Sequence, residues 1–265
     1  METILTIVIP CFNHGAYLEE TLKSVYNSTK QYIPEIIILN DGSTDELTLE
    51  VLKKVEKSGV LVIHQENQGL SKTRNNGIQI AKGKYILPLD SDNNVCFDYL
   101  NTAVELLEKR PDIDIIYGNA KYIGERSGTW KNHQLDTRKM LYSNHIDACA
   151  IFRKQTWESV NGYPIDMQFV GCEDWIFWLK CIQQKSQFYF LDKICFEYRV
   201  LSNSMSRNFK DDIPKKVMLY NIENFYNLYL DSLEKDNHLI KNVFQGNLVK
   251  KIIKLILNHF NKYQY

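Results

Sequence analysis

The sequence predicts an α/β protein built on a mostly parallel, Rossmann-like central sheet flanked by helices, on three observations. Strand-like apolar runs alternate with helix-spaced segments at intervals of roughly 25 residues, the pattern of βαβ units. Each early strand ends in a polar cluster. The run Ile86-Leu87-Pro88-Leu89 stops abruptly at two carboxylates, Asp90 and Asp92, with Ser91 between them. In open α/β sheets, ligands sit outside the carboxyl ends of the strands, where these clusters fall.

Residues two apart in an extended chain point to the same side. Asp90 and Asp92 would then share a small space, and one of them stays protonated unless a positive group joins them. A Mg²⁺-like ion held by one or two carboxylates plus substrate phosphates is a simple remedy. An Asp-rich loop that merely ends a strand is the plainer alternative.

At 265 residues the chain suggests one large domain, or a domain with an appendage. Basic and acidic residues balance at 32 each, so bulk charge gives no pull toward nucleic acid. The six cysteines include no Cys-x-x-Cys pair, which favours reduced thiols and a cytoplasmic compartment. The histidines show no metal-ligand spacing. The chain opens on a strand pattern, so no secretory signal is expected. No apolar run approaches the ~18–20 residues that span a bilayer.

Strands are expected at residues 4–9, 35–39, 60–64 and 84–89, and helices at 16–27, from 45 to 57, and at 70–81. A helix at 97–109 and a strand at 114–118 follow. Residues 121–142 are polar and poorly periodic, and read as a loop or edge region. Trp130 and His133 are contact candidates there, with a plain exposed loop as the alternative. Residues 149–152 suggest a strand, 157–164 a turn, 175–181 an aromatic helix, and 188–191 and 195–198 two short strands. Helices at 217–233 and 239–260 close the chain. The last of these pairs an apolar stripe with Lys250, Lys251 and Lys254. It suits packing on the preceding domain, self-association, or an anionic membrane surface. Neither phosphate-loop signature is present, so a bound nucleotide would need side chains and a metal to hold its phosphates.

Five segments in one order carry a resemblance. They are Thr6-Ile-Val-Ile-Pro-Cys-Phe-Asn13, Asn40-Asp-Gly-Ser-Thr-Asp45, Asn67-Gln-Gly-Leu-Ser-Lys-Thr-Arg-Asn75, Asp90-Ser-Asp92 and Gly171-Cys-Glu-Asp-Trp175. Over about residues 4–205 the chain resembles the family 2 glycosyltransferases, inverting enzymes of GT-A fold that use nucleotide sugars. The resemblance implies a catalytic domain at 1–205, with a nucleotide-binding half at 1–95 and an acceptor-binding half at 96–205. A C-terminal helical extension would occupy 206–265.

The resemblance also implies roles. Asp41 would contact the base, with Pro10 and Asn13 flanking the nucleoside. Asn67 and Arg74 would lie near the base or diphosphate. Asp90 would hold the ribose or metal, with Ser91 beside it, and Asp92 would ligate Mn²⁺ or Mg²⁺. Asp174 would be the general base, kept ionised by the positive end of its helix. Glu173 would orient the acceptor. Trp175 would stack on a sugar, or else serve as a core residue. Arg199 would contact phosphate. Many relatives carry His where this chain has Leu201, which leaves the outer metal coordination open. Apart from the resemblance, Ser204, Ser206 and Arg207 are candidates to close over the donor as a cover. On local chemistry alone, Asp45 reads as a helix cap, and Arg74 as a solvated helix charge.

The implied function is metal-dependent transfer of a hexosyl or N-acetylhexosaminyl group. The donor would be a nucleotide sugar, UDP-linked by preference, and the acceptor a glycan or lipid-linked saccharide, as in polysaccharide biosynthesis. The implied location is cytoplasmic, or peripheral at the inner membrane face. The alternatives are transfer to a polyprenyl phosphate, and a non-catalytic scaffold that kept the fold.

Overall fold

The structure is a computed structural model that describes residues 4–29, 31–167, 171–202 and 213–234. Its first half follows the expected alternation: β1 (Leu5–Cys11), α1 (Gly15–Ser28), β2 (Glu35–Asp41), α2 (Glu46–Lys57), β3 (Leu61–Gln65), α3 (Leu70–Ile80) and β4 (Tyr85–Pro88). Then come β5 (Asn94–Val95), α4 (Tyr99–Lys109), β6 (Ile115–Gly124), β7 (Thr129–Trp130), α5 (Thr137–Met140), β8 (Ile151–Arg153), α6 (Lys154–Ser159), α7 (Glu173–Gln183), β9 (Phe188–Val200), α8 (Ile213–Asn224) and α9 (Tyr226–Glu234).

One nine-stranded sheet runs β3-β2-β1-β4-β8-β6-β9-β5, with β7 beside β6. β3, β2, β1 and β4 are parallel neighbours, and β8 is antiparallel to β4. From β1 the chain passes to β2 on one side and later returns to β4 on the other. That reversal opens a crevice at the carboxyl ends of β1, β2 and β4.

Every residue of β1 is buried, as its β-branched run implies for a strand covered on both faces. Leu5, Ile7 and Ile9 join Leu18, Leu22 and Val25 of α1 and Tyr99, Ala103 and Leu107 of α4 in one core cluster. On the opposite face α3 lies directly on the sheet. A Cβ added to Gly77 would come within 2.5 Å of Val8 Cγ1 and 2.7 Å of Leu39 Cδ2.

Several expectations change. Residues 121–142 are not one loop: β6 runs on to Gly124, β7 pairs with it, and α5 follows. The two strands expected at 188–191 and 195–198 are one, β9, which keeps pairing with β6 through register shifts at Gly118–Ala120. A bulge of this kind absorbs the irregularity that reads as a break in the sequence. β5 and α6 were not anticipated, being too short to show a period.

Residues 136–145 and the described part of the C-terminal region belong to a second compact unit. Within it, Tyr229 Oη donates to the Leu141 carbonyl at 2.5 Å, and its ring meets Tyr142 edge-on. The helix expected at 217–233 is interrupted at Phe225 between α8 and α9. The helix expected at 239–260, and Ser204, Ser206 and Arg207, lie outside the described residues.

Candidate active site

One end of the crevice is built from the loops after β1, β2 and β3. Pro10 is buried near the end of β1. Asn13 sits at φ 55°, a left-handed conformation that Asn tolerates. Its Oδ1 accepts from Thr44 N (2.8 Å) and Asp45 N (3.2 Å), and its N–H donates to Ser43 Oγ (3.0 Å). Asn13 thus ties the first loop to the second.

Asp41 is buried, and its carboxylate organises the third loop. Oδ1 accepts from Gln65 Nε2 (2.7 Å) and Gln68 N (2.8 Å), and Oδ2 from Gly69 N (2.9 Å). Gly42 follows at φ 76°, and a Cβ there would sit 2.8 Å from Asn67 N. Asn67 itself is exposed. Asp45 caps α2, as its position predicts: its carboxylate accepts from Thr48 N at 2.8 Å, and hydrogen bonds from Thr48 hold its pKa below the usual range.

Arg74 is not a solvated charge. It lies on the buried face of α3 and is 1% exposed. Nη2 donates to Asp90 Oδ1 and Nη1 to Glu173 Oε1, both at 2.6 Å. One guanidinium therefore joins the carboxylate that ends β4 to the acid that begins α7. The ring of Tyr163 lies 5.6 Å from its Cζ, and Asn75, next on α3, accepts from Tyr163 N at 2.9 Å.

Glu173 is buried, whereas Asp174 is half-buried at the start of α7. Asp174 Oδ1 accepts from Trp175 N at 2.7 Å. Its carboxyl is pushed well above the usual range by burial, then by Glu173 and Asp147. The helix end is expected to keep this group ionised, and burial with two neighbouring acids acts in the opposite direction. Trp175 is half-buried; the fully buried aromatics of α7 are Phe177 and Trp178.

Asp92 is pushed up to about 6, by burial and then by Asp90. Its Oδ2 lies 4.0 Å from His14 Nδ1. Ser91 is buried, and its carbonyl accepts from Thr21 Oγ1 at 3.0 Å. Arg199 Nε donates to the Asp92 carbonyl at 2.9 Å and Nη2 to Glu20 Oε2 at 2.8 Å. Trp130 is half-buried, parallel to Tyr122 and edge-on to Tyr198, and His133 is exposed. Leu201 is half-buried.

A divalent cation fits this donor set. Asp90 spends one oxygen on Arg74, while Asp92 is desolvated beside it, and a cation relieves that combination. Among the described residues no group of three His, Cys, Asp or Glu side chains is arranged to hold a metal alone. An ion shared with substrate phosphates needs only one or two protein carboxylates.

Two residues here went unnoticed in the sequence. Asp147 is pushed up to about 7, by burial and then by Asp90, and its Oδ1 accepts from Cys149 N at 2.8 Å. Its only local signal is an acid just before a strand. His14 has none beyond its place in the loop after β1.

The staphylococcal (S. aureus) TarS fragment 1–349, described in complex with UDP-GlcNAc, superposes at a TM-score of 0.68 and 18% identity, covering 84% of this chain and 67% of that one. Mannosyltransferase PcManGT from Pyrobaculum calidifontis, described in complex with GDP-Man and Mn²⁺, superposes at 0.56 and 16% identity over all of this chain and 81% of that one. An uncharacterized glycosyltransferase of Methanocaldococcus jannaschii, MJ1057, is 22% identical over 251 residues, 91% of this chain and 83% of the relative. Glycosyltransferase GlyG of Streptococcus pneumoniae is 35% identical over 133 residues, but these are 49% of this chain and 43% of GlyG. The fold is that of the GT-A glycosyltransferases. The chain belongs to glycosyl transferase family 2, whose description it matches over residues 6–167.

Proposed function

We infer that this chain transfers a hexosyl or N-acetylhexosaminyl group from a UDP-sugar to a hydroxyl of a glycan or lipid-linked saccharide, with inversion at the anomeric carbon. The observation that carries this reading is the Arg74 bridge. It joins Asp90, of the donor motif, to Glu173, beside the candidate base, in one crevice. Family membership and a structural neighbour described with UDP-GlcNAc support the donor class.

The acceptor hydroxyl must lose its proton as it attacks. Asp174 would take it, and a carboxylate with a raised pKa is a better base than an ordinary one. Attack from the face opposite the leaving group inverts the centre, so one base suffices, unlike the two-carboxylate retaining scheme. Glu173, held by Arg74, orients the acceptor, and Trp175 offers a ring to a sugar face. At the other end, Pro10, Asn13, Asp41 and Asn67 surround the nucleoside. Asp92 and Asp90 would hold Mn²⁺ or Mg²⁺, which when bound neutralises charge developing on the departing diphosphate.

No helix among the described residues is long and apolar enough to cross a membrane. A lipid-linked acceptor would then be met at the membrane surface, with the basic C-terminal segment as the contact. Co-flotation with anionic liposomes, lost on truncation after residue 234, checks that part.

Calorimetric titration of UDP, GDP, dTDP and CDP, each with and without Mn²⁺, tests the donor. Metal-dependent binding of UDP above the others is expected. Preference for GDP would transfer the reading to a GDP-sugar, the donor class described for PcManGT. Binding of none would refute it.

A further inference from the structure

Helix α1 carries two stripes. The apolar one, Leu18, Leu22 and Val25, faces the core. The second is Tyr17, Glu20, Thr21, Ser24 and Ser28, spaced to share a helix face. Its polar members bond along the segment that carries and follows the aspartate pair. Thr21 Oγ1 donates to the Ser91 carbonyl (3.0 Å), and Glu20 Oε1 accepts from Asn94 Nδ2 (2.7 Å). Ser24 Oγ accepts from Val95 N (2.9 Å), and Ser28 Oγ donates to the Cys96 carbonyl (2.9 Å).

Arg199 closes this mould from β9. Its N–H donates to Asn93 Oδ1 and its Nε to the Asp92 carbonyl, each at 2.9 Å. Nη2 donates to Glu20 Oε2 at 2.8 Å, and the guanidinium lies 4.6 Å from the Tyr17 ring. Glu20 thus holds Arg199 with one oxygen and Asn94 with the other. The side chains of the pair bond residues 92 and 94, the Arg199 backbone N–H bonds residue 93, and Asn94 Nδ2 also donates to Glu197 Oε2 at 3.2 Å. The hold on residue 92 is through its backbone carbonyl and not through its carboxylate. Two like charges a residue apart push their loop open unless its backbone is held.

We propose that Glu20 and Arg199 are positioning residues of the donor site. Together they hold residues 92–94 so that Asp90 and Asp92 stay in the geometry that receives the nucleoside diphosphate. Arg199 acts through the Asp92 peptide and Glu20 acts through Arg199 and Asn94. The proposal rests on the donor-site reading above.

Glu20→Ala, Arg199→Met and the double variant test it. The Glu20 side chain is 54% exposed, so its loss leaves the core intact. Hydrogen exchange of the amides at 91–95 in the ligand-free protein is measured first, then UDP affinity with Mn²⁺, then donor and acceptor KM. Exchange about tenfold faster in Glu20→Ala is expected. UDP affinity should fall by about tenfold, within the range for residues that orient a ligand-binding group. Donor KM should rise in parallel while acceptor KM and melting temperature hold. The double variant should be no worse than the weaker single, because the pair acts as a unit. Unchanged exchange overturns the clamp. Faster exchange with unchanged UDP affinity overturns its role in the donor site and leaves a purely structural tie. If the unaltered protein binds no nucleoside diphosphate, the donor reading fails and the positioning role falls with it, while the exchange result still decides whether the clamp exists.

Discussion

Arg74 shows how one residue joins two halves of a site. Its side chain is 1% exposed, and its acidic partner Glu173 is 6% exposed. Removing one member of a buried ion pair costs about 3–5 kcal/mol, because the other charge is left without compensation. Arg74→Met should therefore lower the unfolding free energy by that order, read as a fall in the urea midpoint, and abolish transfer. Arg74→Lys keeps the charge but not the fork that reaches two carboxylates, and should lose less stability while still losing activity. An unchanged midpoint in Arg74→Met would contradict the bridge. Asp174 gives the opposite balance. Its folded pKa is raised, so the folded state favours the protonated form. The stability tied to that proton is fully present below the unfolded carboxyl value of about 4, and is lost as pH rises through the folded value. Asp174→Asn escapes the loss. It should melt higher than the natural protein at pH 7, by a few degrees for ~1 kcal/mol, and no higher near pH 4. Its turnover should fall by about 10²–10⁴-fold. In the natural enzyme, the acid limb of turnover should lie above the ordinary carboxylate range.

Among the elements, α3 and α1 show that one helix can serve core and site at once. α3 presses Gly77 against Val8 and Leu39, and that close approach carries Arg74 inward. Gly77→Val forces the helix off β1 and β2. Overpacking of this kind costs about 1–3 kcal/mol, and UDP affinity should fall together with the melting temperature. Equal affinity in a destabilised Gly77→Val protein would mean that the seat of α3 does not set the donor site. α1 uses one stripe for the core and the next for the 91–96 segment, so a period count that stops at the apolar stripe misses half of its work. α7 places two acids at its N-terminus, where a helix dipole accounts for acidic residues without any catalysis. Burial, then Glu173 and Asp147, push the Asp174 carboxyl up, against the lowering effect of Arg74 and the Trp175 N–H.

At the scale of the whole molecule, a ligand that binds only the folded state stabilises it by RT ln(1 + [L]/Kd), about 2.7 kcal/mol at one hundred times Kd. UDP with Mn²⁺ should raise the melting temperature by several degrees, and EDTA should return it to that of the free protein. The same shift with UDP alone would remove the metal from the donor site. The strand–helix alternation of the first half, its mostly parallel sheet and the two acid motifs were legible in the sequence, because periodicity, turn chemistry and abrupt apolar-to-acid boundaries are local signals. The cap at Asp45 was legible for the same reason. The single long β9, the two-residue β5 and the strands within 121–142 were not, since pairing partners and bulges leave no period of their own. The bond from Arg74 to Glu173 spans 99 residues and that from Arg199 to Glu20 spans 179. Local pattern names such residues as charged but says nothing of their partners. Sequence by itself determined the α/β class, the family and which acids to suspect. Only the tertiary structure decided which charges are buried together, which carboxyls titrate high and what holds the aspartate loop, because those depend on solvent exclusion and on contacts between segments far apart in the chain.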